Sequence, residues 1–308
     1  MDNMPKIELG KYKILSFYSD LEVVPPGVDL IKAREVWTEA SEGSGVVVAI
    51  LDTGIATHHP DLTDAIIGGY NFTDDDNGEP SIFEDHNGHG THVAGIIGAR
   101  NNGVGVIGVA PKCNLLILKV LDKRGSGSYD QLIEALDYAM KWTGPNGEKV
   151  SVINMSLGGP THTNELYKTI KNVYDAGIII VAAAGNGGDG DSETYEISYP
   201  AFYEETLSIG SVNNDLVPSV FSHTNLNLKF MAPGEDVLST HLNGQYVKLT
   251  GTSMAAPHAS GSVALVLNLV QKYDQMLLPS QIERYFSSHS RKIDFPISQV
   301  GNGFIQLK

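Results

Sequence analysis

The sequence predicts an α/β protein, a three-layer α/β/α arrangement around a mostly parallel sheet, on three observations. Short β-rich apolar runs, at 46–51, 115–120, 152–155, 178–184 and 207–212, alternate with helix-period segments. The runs are apolar throughout rather than at every second residue, as strands buried on both faces are. Polar residues stand just past the ends of several of them, at Asp52, Ser156 and Asn186, where open α/β sheets place their ligands.

Along the chain, residues 1–20 carry no clear helix or strand pattern, and Val24-Pro25-Pro26-Gly27 marks the start of a folded body expected over 21–308. The run 46–51 ends at Asp52 and opens into Thr53-Gly54. Ser128 is placed to cap a helix whose apolar face is Tyr129, Leu132, Ile133, Leu136, Ala139 and Met140. Thr163 is placed to cap a second, carrying Leu166, Ile170, Val173 and Tyr174 and closed by Gly177. The segment 143–148 between them reads as a polar loop, and no internal repeat is evident.

Composition narrows the function. With 308 residues, 42% hydrophobic and 19% charged, the chain suits one large globular body. A net charge of -15 argues against nucleic acid or an anionic membrane as partner, because phosphate surfaces need clustered Lys and Arg. Cation binding suits that charge better. The single cysteine, Cys113, cannot form an internal disulfide. The first thirty residues hold no apolar stretch long enough for a signal-peptide core, and nowhere do about eighteen apolar residues run together. The expected location is therefore the cytoplasm, without a membrane span.

Ser253 lies in Gly251-Thr252-Ser253-Met254-Ala255-Ala256-Pro257-His258, between a glycine turn and a small-residue apolar helix. A hydroxyl attacks at neutral pH only with a base and an orienting acid. Taken singly, the candidates have plainer readings: Asp52 a turn residue, His89 structural, Ser253 an N-cap, Asn186 a left-handed turn residue between Gly185 and Gly187. Their flanks change that balance. DTG at 52–54, GHGTHVAG at 88–95, SLGG at 156–159, AAAGN at 182–186 and GTSMAAPH at 251–258 together resemble the subtilisin family of serine proteases, in the family's order and over about residues 21–308.

The resemblance implies that Ser253 is the nucleophile, His89 the general base and acid, and Asp52 the carboxylate that orients it. Asn186 would donate its amide to the oxyanion beside the Ser253 backbone N–H. Gly125-Ser126-Gly127 and Ser156-Leu157-Gly158 resemble the edge segments that clamp protein and peptide substrates as an added strand. The primary pocket would be walled by Leu157, Gly158, Ala183, Ala184 and Gly185 with Ser198 at its base, favouring bulky apolar or aromatic side chains. Tyr129 and Leu132 would line a pocket further along the acyl side.

The loop 100–106 resembles the family's tight calcium loop, a structural site. Its implied ligands are Asp61, the Asn102 side chain, the carbonyls of Arg100, Val104 and Val106, and Glu22, an oxygen set that suits calcium. A second, weaker family site, with carbonyls near Ala201, Tyr203 and Thr206, is expected to be absent because Lys229 replaces its carboxylate. The acidic turns 74–78 and 188–191 read as solvated surface. Intracellular members carry a short inhibitory extension bearing Leu-Ile-Pro-Tyr. The matching place reads Leu9-Gly10-Lys11-Tyr12, so a zymogen is expected, with 9–12 across the cleft and removal near 18–21. Intracellular relatives also imply a homodimer.

Rival readings come from other classes. Gly185 to Gly190 satisfies GxGxxG, yet 191–200 shows no helical period, which a dinucleotide loop needs. Asp85, His86, His89 and His92 suggest a metal-dependent hydrolase, but no HExxH is present and the serine motif would go unexplained. A catalytically silent peptide-binding relative is the third, against which stand competent residues at every triad position.

Overall fold

A computed structural model describes residues 6–9, 17–18, 22–271 and 278–308. Among the described residues, seven strands form the central sheet in the order Phe230–Pro233, Thr206–Val212, Ile179–Ala183, Val150–Met155, Val47–Asp52, Asn114–Lys119 and Ile66–Asn71. Every adjacent pair is parallel. All five expected strands are present. The two edges were not among the expected strands: Ile66–Asn71 is half-buried and holds Gly68-Gly69, and Phe230–Pro233 is only four residues long and ends in proline.

Burial on both faces explains the unbroken apolar runs. From one strand, Val47, Ala49 and Leu51 pack in a cluster with Leu132, Leu136 and Ile170 of the helices Tyr129–Lys141 and Asn164–Asp175. Val48 and Ile50 join the opposite cluster, with Val93 of the helix His89–Gly98 and Val263 of Thr252–Gln271. The three layers follow. The span Thr252–Val270 is long and apolar enough to cross a membrane, but 89% of that window is buried inside the protein.

The capping expectations hold. Ser128 Oγ accepts from Gln131 N–H while Gln131 Oε1 accepts from Ser128 N–H, a reciprocal capping box. Ile133 and Met140 are half-buried, and Ala135 takes a place on the buried face. Thr163 Oγ1 accepts from Leu166 N–H, and Gly177 ends the second helix at φ +85.

The amino-terminal segment differs from its patternless sequence. Lys6–Glu8 pairs antiparallel with Ser126–Ser128, and Phe17–Tyr18 pairs with Tyr246–Leu249. Partner strands on the body impose the extended form, so no local periodicity is needed.

Candidate active site

Parallel strands deliver the chemistry-bearing residues to one end of the sheet. Val47–Asp52 lies between Val150–Met155 and Asn114–Lys119, where the strand order changes direction. At its end the Asp52 carbonyl accepts from Val120 and Leu121 N–H, at 2.9 and 3.1 Å. Asp52 Oδ1 accepts from Thr53 N–H at 2.7 Å and lies 2.8 Å from His89 Nδ1. Both residues are buried. His89 opens its helix after Gly88, whose φ of +101 a side chain would resist.

Ser253 is the second residue of Thr252–Gln271. Its Oγ donates to the Ser156 carbonyl at 3.0 Å, and Ser156 Oγ donates to the Ser253 carbonyl at 2.9 Å. Asn154 Nδ2 donates to Ser156 Oγ in turn. The Ser156 side chain is thus a buried strut under Ser253, while its residue still borders the cleft. Asn186 Oδ1 accepts from both the N–H and the hydroxyl of Thr252 at 2.8 Å, which fixes the amide flip. Nδ2 then faces Gly251, where an added Cβ would come to 3.1 Å.

The main cleft, about 410 Å³, is bordered by Ser156, Leu157, Gly158, Ala183, Gly185, Asn186, Ser198 and Ser253. Ala184, expected in its wall, packs instead into the core beneath. Ile197 and His223 border the cleft and were not foreseen. His223 lies under the Gly185–Gly187 backbone, its ring filling the space a Gly185 side chain would take. Burial pushes its pKa down, against the opposing Glu196 charge. Nothing in the sequence near Phe221-Ser222-His223 signals this, because the approach is made by tertiary folding.

The two expected clamp segments flank the amino-terminal strand. Glu8 N–H donates to the Gly158 carbonyl at 3.1 Å, Gly158 N–H to the Glu8 carbonyl at 3.3 Å, and Leu9 N–H to the Gly125 carbonyl at 3.1 Å. Ile7 stands opposite Gly127 and Glu8 opposite Ser126. The Ile7 side chain is fully buried in the cluster that holds Tyr129 and Leu132. Gly125 has φ +76, and a Cβ there would meet Leu9 Cδ1 at 2.8 Å. Residues 10–12 and 19–21, on which the rest of the expected inhibitory segment and its removal fall, lie outside the described residues.

Around the loop 100–106, Asp61 Oδ2 accepts from Val106 N–H at 2.9 Å, and Asn102 Nδ2 lies 3.4 Å from Asp61 Oδ1. Glu22 Oε1 accepts from Gly103 N–H at 2.6 Å, so the loop joins both carboxylates. Burial pushes the Asp61 carboxyl pKa up and the Glu22 charge adds to it, against hydrogen bonds from Val106, Tyr246 and Asn102. Arg100 turns its guanidinium away, onto the carbonyls of Pro111, Cys113 and Asp64, leaving its backbone with the loop. Among the described residues no group of three His, Cys, Asp or Glu side chains gathers for a metal. Lys229 Nζ pairs with Glu283 Oε1 at 3.1 Å, and the Tyr203 carbonyl is taken by Thr206 N–H and hydroxyl.

The four residues of the metal-hydrolase reading are engaged separately. Asp85 accepts from backbone N–H groups and hydroxyls, His86 Nε2 lies 3.0 Å from Asp76, and His92 Nε2 meets the carbonyls of Val237 and Val247. Burial pushes the His92 pKa down to about 3. Cys113 is buried with its thiol pushed up to about 12, which removes it as a nucleophile. After Gly185–Gly190 no helix follows over 191–200.

Comparison with known proteins agrees with this geometry. The family model described as the subtilase family matches residues 43–299. The chain is 45% identical over 304 residues to the major intracellular serine protease of Bacillus subtilis, covering 98% of this chain and 93% of that protein. It is 43% identical over 303 residues to the intracellular serine protease of Paenibacillus polymyxa, covering 98% and 91%. Subtilisin DY of Bacillus licheniformis is 42% identical over 287 residues, covering 93% and 98%.

Proposed function

The chain belongs to the subtilase family and is a subtilisin-like serine endopeptidase; from that premise we infer that Ser253 is its nucleophile, His89 its general base and acid, and Asp52 the orienting carboxylate. The observation that carries this division of roles is the buried 2.8 Å contact of His89 Nδ1 with Asp52. It holds the proton on Nδ1 and leaves Nε2 to take the proton of Ser253 as Oγ attacks the carbonyl carbon. Rotation about the Ser253 Cα–Cβ bond releases Oγ from the Ser156 carbonyl for that step. On this reading the negative oxygen that forms is met by Asn186 Nδ2, whose amide Thr252 orients, and by the Ser253 N–H at a helix start. His89 then returns the proton to the departing amine, and water repeats the sequence on the acyl-enzyme.

Substrates on this reading are protein and peptide strands, paired on Gly125–Gly127 and Gly158 with tolerance of sequence. Leu157, Gly158, Ala183 and Ser198 favour a bulky apolar or aromatic residue at the cleaved bond. The same edges hold Ile7, Glu8 and Leu9, so the amino-terminal segment occupies the substrate's place and keeps the enzyme a zymogen until it is removed. Asp61, Glu22, the Asn102 amide and the carbonyls of Arg100, Val104 and Val106 fit calcium: the donors are hard oxygens, and two carboxylates share the loop. Calcium there would offset carboxylate repulsion and brace the loop. The names of two relatives place them inside the cell, and the cytoplasm is the proposed location here. Replacing Ser253 by Ala decides the central claim: peptide hydrolysis should vanish, and retained hydrolysis would overturn it.

A further inference from the structure

We propose that Asp85, acting through Thr53, is the positioning residue that holds Asp52 and His89 in register; this rests on the triad assignment of Asp52, His89 and Ser253. Asp85 is 3% exposed. Its Oδ1 accepts from Thr53 Oγ1 and from the N–H groups of Asn87 and Gly88, each at 2.9 Å. Its Oδ2 accepts from Thr91 N–H at 2.9 Å and Thr91 Oγ1 at 2.6 Å. The partners come from two places distant in sequence: the end of the strand that carries Asp52, and the loop and helix start that carry His89. A buried carboxylate is tolerated only when its oxygens are filled by donors, so both elements must close on it together.

Thr53 makes the junction rigid because each of its polar groups has a fixed task. Its N–H donates to Asp52 Oδ1 at 2.7 Å. Its hydroxyl accepts from Gly90 N–H at 2.9 Å while donating to Asp85. Its carbonyl accepts from Lys119 Nζ at 2.6 Å, and Lys119 is fully buried and pairs with Asp75 at 3.1 Å. The backbone on either side of His89, at Gly88 and Gly90, is therefore tied to the residue that follows Asp52. Every neighbour of Asp85 in this set is a donor, which selects an acceptor-only side chain: an Asn amide would turn N–H against N–H.

The test is steady-state hydrolysis of a chromogenic peptide anilide by the full chain, expressed per active site counted from the acyl-enzyme burst on a p-nitrophenyl ester. Thr53→Val removes the hydroxyl bridge at nearly constant volume and should lower kcat about 10–100-fold with KM within about twofold, since small misplacements at a reacting pair cost this much. Thr53→Ser should restore kcat to within about threefold. Asp85→Asn should lower kcat further; if it fails to fold, the Thr53 pair alone decides. A purely structural role would reduce the burst and the melting temperature while leaving kcat per site unchanged. That outcome, or equal kcat for Val and Ser, overturns the proposal. Hydrolysis undiminished in Ser253→Ala, after incubation to constant activity, would instead overturn the triad assignment on which it rests.

Discussion

Glu8 and Gly158 exchange both backbone hydrogen bonds, at 3.1 and 3.3 Å, so a residue from the start of the chain is a strand partner of a glycine proposed to clamp substrate. An antiparallel narrow pair of this kind is the main-chain pairing an extended substrate would make. The segment and a substrate then compete for one edge. A chain beginning at Glu22 should hydrolyse peptides at once, whereas the full chain should begin slowly and accelerate as the segment is trimmed. Equal initial rates, taken before trimming, count against inhibition.

The buried Ile7 side chain anchors that segment in the cluster that holds Tyr129 and Leu132. Ile7→Ala removes about 2–5 kcal/mol from a buried aliphatic contact, part of which weakens docking of the segment. The initial rate of the full chain should therefore rise at least about tenfold, toward the rate of the chain that begins at Glu22 and lacks the segment. An unchanged initial rate would show that Ile7 does not hold the segment down.

The oxyanion role of Asn186 predicts a loss in kcat. Asn186→Ala should lower it roughly 10²–10³-fold with little change in KM, the magnitude that the corresponding donor has in subtilisin itself. Thr252→Val removes one of the two donors that fix the amide and should cost about tenfold. A rise in KM at constant kcat would instead make Asn186 a substrate-binding residue.

Calcium at the loop 100–106 should raise stability in a pH-dependent way. Without metal, the folded pKa of Asp61 lies above its unfolded value. The folded state then binds more protons in that window, and this contribution to stability declines as pH rises through the folded pKa. A cation competes with that proton, so the melting-temperature gain on adding calcium to chelator-treated protein should grow as pH rises through the folded pKa of Asp61. Asp61→Asn should abolish the growth; the same increment in both proteins would disprove the site.

Two buried neutral histidines give the opposite slope. Burial pushes His92 down to about 3 and His258 to about 4, and His258 Nδ1 is held by the Met254 carbonyl at 2.8 Å. Their folded pKa values lie below the unfolded value of about 6.5, so the stability they contribute is complete above about pH 6.5 and is lost as pH falls toward 4. The loss should reach about 3 kcal/mol per pH unit for the two together. Urea unfolding at pH 7 and pH 5 measures it, and His258→Gln should flatten the slope by about half.

Much of this was legible in sequence because it depends on local pattern. The five apolar runs became five parallel strands, and Ser128 and Thr163 cap the helices expected of them. The two edge strands were not legible, since Gly68-Gly69 and a four-residue run carry no periodic signal. Ala183 and Ala184 both join the core cluster, and only Ala183, the last residue of its strand, also borders the cleft.

The sequence by itself determined the layered α/β architecture and, through the motifs around Asp52, His89, Asn186 and Ser253, the residues proposed to compose the site. These follow from burial period, turn chemistry and runs of adjacent residues, all of which the chain carries locally. Only the tertiary structure decided that Asp85 joins Thr53 to the His89 loop, that His223 underlies Gly185, and that Lys6–Glu8 pairs with Ser126–Ser128. Each joins segments distant in sequence. Such contacts form because a buried carboxylate, a glycine gap and an unpaired strand edge must each be satisfied by whatever the fold brings near.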